Sequence, residues 1–240
     1  MKKILLSTII LLLCAFRLYA QEATTDDEKC EKAASLIEQA AEYASKELYT
    51  LAVDNLEMAY DLCPSVYDCN TFNLLGISYY MINNYLSAIE WLEQSAKCET
   101  DKDILSFIYG TLGESYRKEG DYHKAILSAE KMIYISEDES LISAAYVILA
   151  YVYSELDNYN KTVDSFEKTI HHYLKYLSVT DDAVMNSEVK DDLLGEYYIK
   201  FAAYYSDQGK SYDAEKYLIK SALSGYGPAI EICKDLGLKY

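Results

Sequence analysis

Six cysteines and three histidines are the side chains of this 240-residue sequence with the most obvious capacity for chemistry. No Cys-x-x-Cys occurs, and His123, His171 and His172 hold no ligand spacing to the cysteines, which argues against a zinc site. On a helix, His171 and His172 would point about 100° apart, a poor arrangement for holding one ion. A Gly-rich phosphate loop, His-Glu-x-x-His and Gly-x-Ser-x-Gly are missing from the sequence, and its carboxylates form no convergent pair. The expectation is no catalysis, no metal and no cofactor. What remains for the cysteines is pairing with one another.

Pairing depends on compartment, and the start of the chain bears on that. Lys2 and Lys3 precede an uncharged apolar stretch from Ile4 to Ala15, and Arg17-Leu18-Tyr19-Ala20 closes it before Gln21. This layout reads as an export signal peptide over 1–20, followed by a flexible mature N-terminus over 21–29. The stretch is too short for a stable membrane span, and no later stretch is long and apolar enough for one. Cys14 opens a lipoprotein alternative, but Leu11-Leu12-Leu13 lacks the small residue such signals place just before the cysteine. An exported chain, periplasmic or extracellular, meets an oxidising compartment in which disulfides become plausible.

Charge narrows the partners. The formal charge of −17 becomes −20 once Lys2, Lys3 and Arg17 are removed with the leader. Such a surface repels phosphate backbones, so nucleic acid is disfavoured and protein partners are left open. Two prolines and nine glycines are few for a sheet protein rich in turns.

The elements that must position these residues announce themselves by repetition. Leu75-Gly76 with Tyr79, Tyr85 and Ala88 is followed by Leu112-Gly113 with Tyr116, Tyr122 and Ala125, then by Leu149-Ala150 with Tyr153, Tyr159 and Thr162. Gly76 to Gly113 and Gly113 to Ala150 are both 37 residues. A fixed period in the thirties predicts stacked helix pairs. Glycine inside a helix costs about 1 kcal/mol against alanine, so its recurrence at one phase implies close approach of a second helix. Asn83-Asn84, Gly120-Asp121 and Asp157-Asn158 suit the tight turns between the two helices of each pair. Weaker copies run from Ala40 to Pro64 and around Ala202, Tyr205, Tyr212 and Ala214. Ala150 to Ala202 spans 52 residues, so a long second helix to about Leu177 and a mobile segment from Thr180 to Ser187 are expected there. Gly227-Pro228-Ala229 opens a last helix, with Ala229, Ile230, Cys233 and Leu236 facing inward and Glu231, Lys234 and Asp235 facing water.

These motifs resemble the tetratricopeptide repeat family over roughly residues 30–224, with the first-helix tryptophan of the family replaced by Phe72, Tyr109 and Tyr146. The tail is similar to the end of Sel1-like repeats. The resemblance implies an all-α, right-handed superhelical solenoid of about five antiparallel helix pairs (30–66, 67–103, 104–140, 141–179 and 190–224) with a capping helix over 225–240. It also implies that first helices line a concave surface. Here that projects Asn70, Asn73, Ile77 and Tyr80, then Phe107, Gly110, Glu114 and Arg117, then Val147, Tyr151, Ser154 and Glu155. This lining could hold an extended or helical peptide, with Tyr80, Phe107 and Tyr151 exposed. The carboxylate-gripping lysines of the family's best-known clamp are missing. Tyr43, Tyr79, Tyr116, Tyr153 and Tyr205 share a core phase.

In an antiparallel hairpin, the start of one helix and the end of its partner share an edge. Cys30 with Cys63 and Cys69 with Cys98 would each close one hairpin; Cys63 with Cys69, or four reduced cysteines, are the alternatives. Cys233 is left over, half buried and free. The functional expectation is an exported scaffold binding a protein or peptide. The alternatives are an envelope-assembly accessory resembling short tetratricopeptide lipoproteins of barrel insertion or pilus secretion, and carbohydrate binding.

Overall fold

The computed structural model describes residues 26–180 and 191–240. The expected leader (1–20), the segment up to residue 25 and most of the expected mobile loop lie outside them. Among the described residues every regular element is helical. They form two compact units, divided after Glu99.

The first unit holds α1 (26–45), α2 (Tyr49–Leu62), a 3-10 turn (Pro64–Val66), α3 (Cys69–Met81) and α4 (Tyr85–Cys98). The second holds α5 (Lys102–Lys118), α6 (Tyr122–Ile135), α7 (Glu139–Glu155), α8 (Tyr159–Thr180), α9 (Asp192–Asp207), α10 (Ser211–Leu223) and α11 (Gly227–Asp235). Helices α3 and α4, α5 and α6, α7 and α8, and α9 and α10 pack as neighbours across short turns, which makes them antiparallel. Within the units, successive pairs meet with α2 on α3, α6 on α7 and α8 on α9, and α7 also packs on α5.

Local chemistry explains these boundaries. Asn84, Asp121 and Asn158 stand 37 residues apart and each caps a second helix by accepting from the backbone N–H three residues on. The turns before them need a left-handed residue, supplied by Asn83 (φ 62°), Gly120 (φ 79°) and Asp157 (φ 53°). First helices are capped by Asp68, Asp101, Asp138 and Asp191.

The small residues divide unequally. A Cβ on Gly76 would sit 2.6 Å from Leu92 Cγ and 3.0 Å from the Leu92 backbone nitrogen, so α3 and α4 touch there. A Cβ on Gly113 would meet Ile148 Cδ1 at 3.4 Å and the Ala125 carbonyl at 3.5 Å, ordinary contacts. At this repeat phase close approach therefore requires glycine in the second pair and not in the third, which agrees with Ala150 standing there later; at another phase, a Cβ on Gly195 of α9 would sit 2.4 Å from Tyr226 Cβ. Buried serines also bridge paired helices: Ser95 Oγ donates to the Cys69 carbonyl and Ser221 Oγ to the Gly195 carbonyl. In the third pair Met132 stands where Ser95 does in the second, and the hydroxyl of Ser106, at the place of Cys69, is buried without a partner.

The tyrosines have a role the repeat pattern did not reveal. Lys131 lies over the Tyr109 ring, Lys168 over Tyr146 and Lys220 over Tyr198, each lysine 22 residues after its tyrosine. Lys124 over Tyr116 and Lys161 over Tyr153 repeat at a separation of eight. These cation–π pairs tie second helices to first helices in the second unit, each worth about 0.5–1 kcal/mol at an exposed site. Of the core-phase tyrosines, Tyr79, Tyr116 and Tyr205 are buried, while Tyr43 and Tyr153 are half-buried. Tyr212, the aromatic of the weaker fifth copy, lies at the start of α10 and is 82% exposed.

The C-terminal end departs from expectation at one residue. Ala229 and Cys233 are fully buried and Ile230 packs on the core, but Leu236 is 63% exposed. Helix α11 ends at Asp235, and Gly237 (φ 68°) reverses the chain so that the Leu238 N–H bonds the Cys233 carbonyl. Leu238 takes the inward place. Cys233 is thus wholly buried, not half-buried.

Candidate functional site

The projected lining residues fall on first helices of both units. In the first, α3 carries Asn70 exposed and Asn73, Ile77 and Tyr80 half-buried. The Asn73 Oδ1 is buried without a hydrogen-bond partner, and the Tyr80 ring meets Tyr85 edge-on at 5.8 Å.

In the second unit, Phe107, Gly110, Glu114 and Arg117 follow one stripe of α5, because helix positions three and four apart share a face. Phe107 is 52% exposed. Gly110 is half-buried beside the Met132 sulfur. One turn on, Arg117 Nε donates to Glu114 Oε2 at 2.8 Å, its Nη2 reaches the other Glu114 oxygen, and its Nη1 donates to Glu155 on α7. The Glu114 hydrogen bond, more than any other contact, raises the guanidinium's hold on its proton. The same guanidinium lies 5.3 Å from the centre of the Tyr151 ring.

Tyr151 is consequently not an open aromatic. Lys200 of α9 lies 6.0 Å from its centre, Phe166 meets its edge, and Lys200 is also paired with Glu196. Burial alone would lower the Lys200 pKa, but the Glu196 hydrogen bond and Tyr151 raise it instead. Val147 packs against the core and lines little. Ser154 is half-buried. The arrangement is a row of charge and aromatic contacts that joins α5, α7 and α9: Glu114, Arg117, Glu155, Tyr151, Lys200 and Glu196. Lys200 and Glu196 escaped sequence reasoning because the 52-residue interval before Ala202 hides the register of α9 against α7.

A second cross-helix cluster was also missed. His172 Nδ1 lies 2.6 Å from Glu139 Oε2, Lys175 pairs with the other oxygen, and the His172 ring stacks on Tyr146 at 5.3 Å. The Lys175 ammonium, then His172, hold the Glu139 carboxyl below the usual carboxylate range. His171 points elsewhere and is exposed. Among the described residues no group of three or more His, Cys, Asp or Glu side chains is placed to hold a metal ion.

Four cysteines pair within the first unit. Cys30 is bonded to Cys63 with Cα atoms 5.0 Å apart, and Cys69 to Cys98 with Cα atoms 5.7 Å apart. Each bond joins the two helices of one pair. Cys63 also belongs to the small core of the first pair, with Ala33, Leu36 and Ala59. Cys233 is free.

This succession of helix pairs defines a tetratricopeptide-like helical-repeat fold, and solved structures carry the same arrangement. A crystal structure of MamA is 18% identical, covers 88% of this chain and 98% of its own, and superposes with a TM-score of 0.59. MamA residues 41 to the end from Desulfovibrio magneticus RS-1 give 13% identity, 80% and 93% coverage and a TM-score of 0.60. The APC/C hetero-tetramer Cut9–Hcn1 gives 18% identity and a TM-score of 0.56, over 91% of this chain and 38% of that one. At such identities the likeness is one of fold. No protein-family model matches the sequence, nor does any curated protein. No described helix is long and apolar enough to cross a membrane.

Proposed function

We propose that this chain is an exported scaffold that holds a protein or peptide partner against the first-helix face of α5, α7 and α9. The observation that carries the reading is the row joining those helices. Arg117 is fixed from both sides by Glu114 and Glu155, and Tyr151 is held between Arg117 and Lys200. Groups locked this way lose little freedom on binding, so a partner meets a preorganised surface. Phe107, exposed on the same stripe of α5, is the apolar anchor such a surface needs. Asn70, Asn73, Ile77 and Tyr80 offer the α3 stripe for the same use. No chemical step is assigned to the chain.

Two disulfides support export, since such bonds persist in oxidising compartments. Mass spectrometry of the mature N-terminus tests it: Gln21 is expected, and a lipid on Cys14 would favour an envelope-assembly accessory. For the face itself, wild-type protein and Phe107→Ala would be used in parallel capture from native envelope. A partner retained by wild type and lost with Phe107→Ala, at unchanged melting temperature, is the expected result. Equal capture by both would place binding elsewhere.

A further inference from the structure

The end of the second unit holds a cleft of about 540 Å³ between α9, α10 and the last turn of α11. Its floor includes Ala202, Ala203, Ala214 and Leu218, and Ile232 and Leu236 form a wall. Ile232 and Leu236 are exposed, as is Ala203. Glu215 is the charged residue that lines it.

The chain itself shows what belongs on such a floor. Ala202 and Ala214 stand twelve residues apart, as do Gly113 and Ala125 in the third pair. There the next first helix, α7, packs on both α5 and α6 and lays Ile148 against Gly113. In the fifth pair the corresponding helix is α11, which packs on α10 but has nine residues where α7 has 17. The missing eight residues equal about 12 Å of helix at 1.5 Å per residue. Small floor residues, apolar walls and this length fit about two turns of helix.

We propose that this cleft docks a short amphipathic helix of a partner protein, with a lysine or arginine facing Glu215. The charge follows from the cleft's single carboxylate and from a formal charge of −17, which attracts a basic segment and opposes a second copy of this chain. On α9 the cleft continues the stripe of Glu196 and Lys200, with Ala203 one turn beyond Lys200, so Phe107→Ala on α5 and Ala203→Trp at the cleft are the variants that separate the two readings.

The probe is a synthetic helix of leucine, alanine and lysine, about 14 residues long, with the apolar residues on one face. A scrambled peptide of identical composition controls for plain charge attraction, and a third peptide carries glutamate for lysine. Fluorescence anisotropy should show the patterned lysine helix binding at least about tenfold more tightly than the scrambled one. Ala203→Trp, which fills the cleft from an exposed position, should remove that difference, and Phe107→Ala should leave it intact. Glu215→Lys, a surface change independent of the tryptophan's fit, should turn the preference toward the glutamate peptide. Equal binding of patterned and scrambled peptides overturns the proposal. So does loss of the difference in Phe107→Ala but not Ala203→Trp, or dimerisation that Ala203→Trp abolishes, which would make a second copy the occupant.

Discussion

Two glycines at one repeat phase should respond oppositely to the same substitution. Gly113→Ala places its methyl 3.4 Å from Ile148 Cδ1 and 3.5 Å from the Ala125 carbonyl, so nothing must move. Helix propensity then favours alanine by about 1 kcal/mol, and the buried methyl adds at most about 0.8 kcal/mol. A net gain of about 1 kcal/mol raises the melting temperature by roughly 2–4 °C in a unit of this size. Gly76→Ala places its methyl 2.6 Å from Leu92 Cγ. Leu92 is fully buried and cannot swing aside, and its backbone nitrogen at 3.0 Å means α4 itself must shift. Overpacking of this kind costs about 1–3 kcal/mol, more than the propensity gain returns. The assay is thermal unfolding by far-ultraviolet circular dichroism alongside tryptophan fluorescence. Trp91, the single tryptophan, adjoins Leu92 on α4 and reports the first unit alone. Gly76→Ala should lower the fluorescence transition by several degrees, and Gly113→Ala should leave it in place while raising the dichroism transition. A stabilised Gly76→Ala, or a destabilised Gly113→Ala, would refute the reasoning.

The buried serines give a second contrast: Ser106→Ala should be neutral or stabilising by about 1 kcal/mol because its hydroxyl has no partner, whereas Ser95→Ala should cost about 1 kcal/mol, read by urea unfolding. Thiol counting on protein that starts at Gln21, denatured without reductant, should find one free thiol, Cys233, and the same count on the native protein should find none reacting quickly. In acid, Asp68 contributes a defined slope. Its hydrogen bonds from the Thr71 hydroxyl and then the Thr71 N–H hold its carboxyl below the unfolded value of about 3.9, so its stabilisation is complete above that pH and vanishes as pH falls through the lower folded value. Asp68→Asn should flatten that part of the stability curve, and an unchanged acid limb would count against the cap. Replacing Lys131 with methionine should cost about 0.5–1 kcal/mol through loss of its contact with Tyr109, and a matching loss from Tyr109→Leu with no further loss in the double variant would identify the pair.

The helix pairs were legible in the residues because each pair repeats the same local problem. A turn needs Asn, Asp or Gly at a left-handed position, a second helix needs a cap, and a crossing needs something small, so Asn84, Asp121 and Asn158 recur with the period of the fold. The shared edge of Cys30 with Cys63 and of Cys69 with Cys98 follows from the same hairpin geometry, which depends only on helix starts and ends. Other features depend on distances between helices that no single repeat contains. Gly76 and Gly113 look alike in sequence, and only the placement of Leu92 against Ile148 separates a necessary glycine from a replaceable one. Lys131, Lys168 and Lys220 are ordinary surface lysines until their helices set them over tyrosines 22 residues earlier. Tyr151 projected as an exposed aromatic, and the structure holds it between Arg117 and Lys200, because α9 arrives after an interval whose length the repeat does not specify. Leu236 failed for a local reason, the chain reversal at Gly237 that ends α11 and sends Leu238 inward. Period and capping are written in the chain because neighbouring residues enforce them. The contacts that make a face, and the cleft that a nine-residue last helix leaves open, are decided by how whole helices pack.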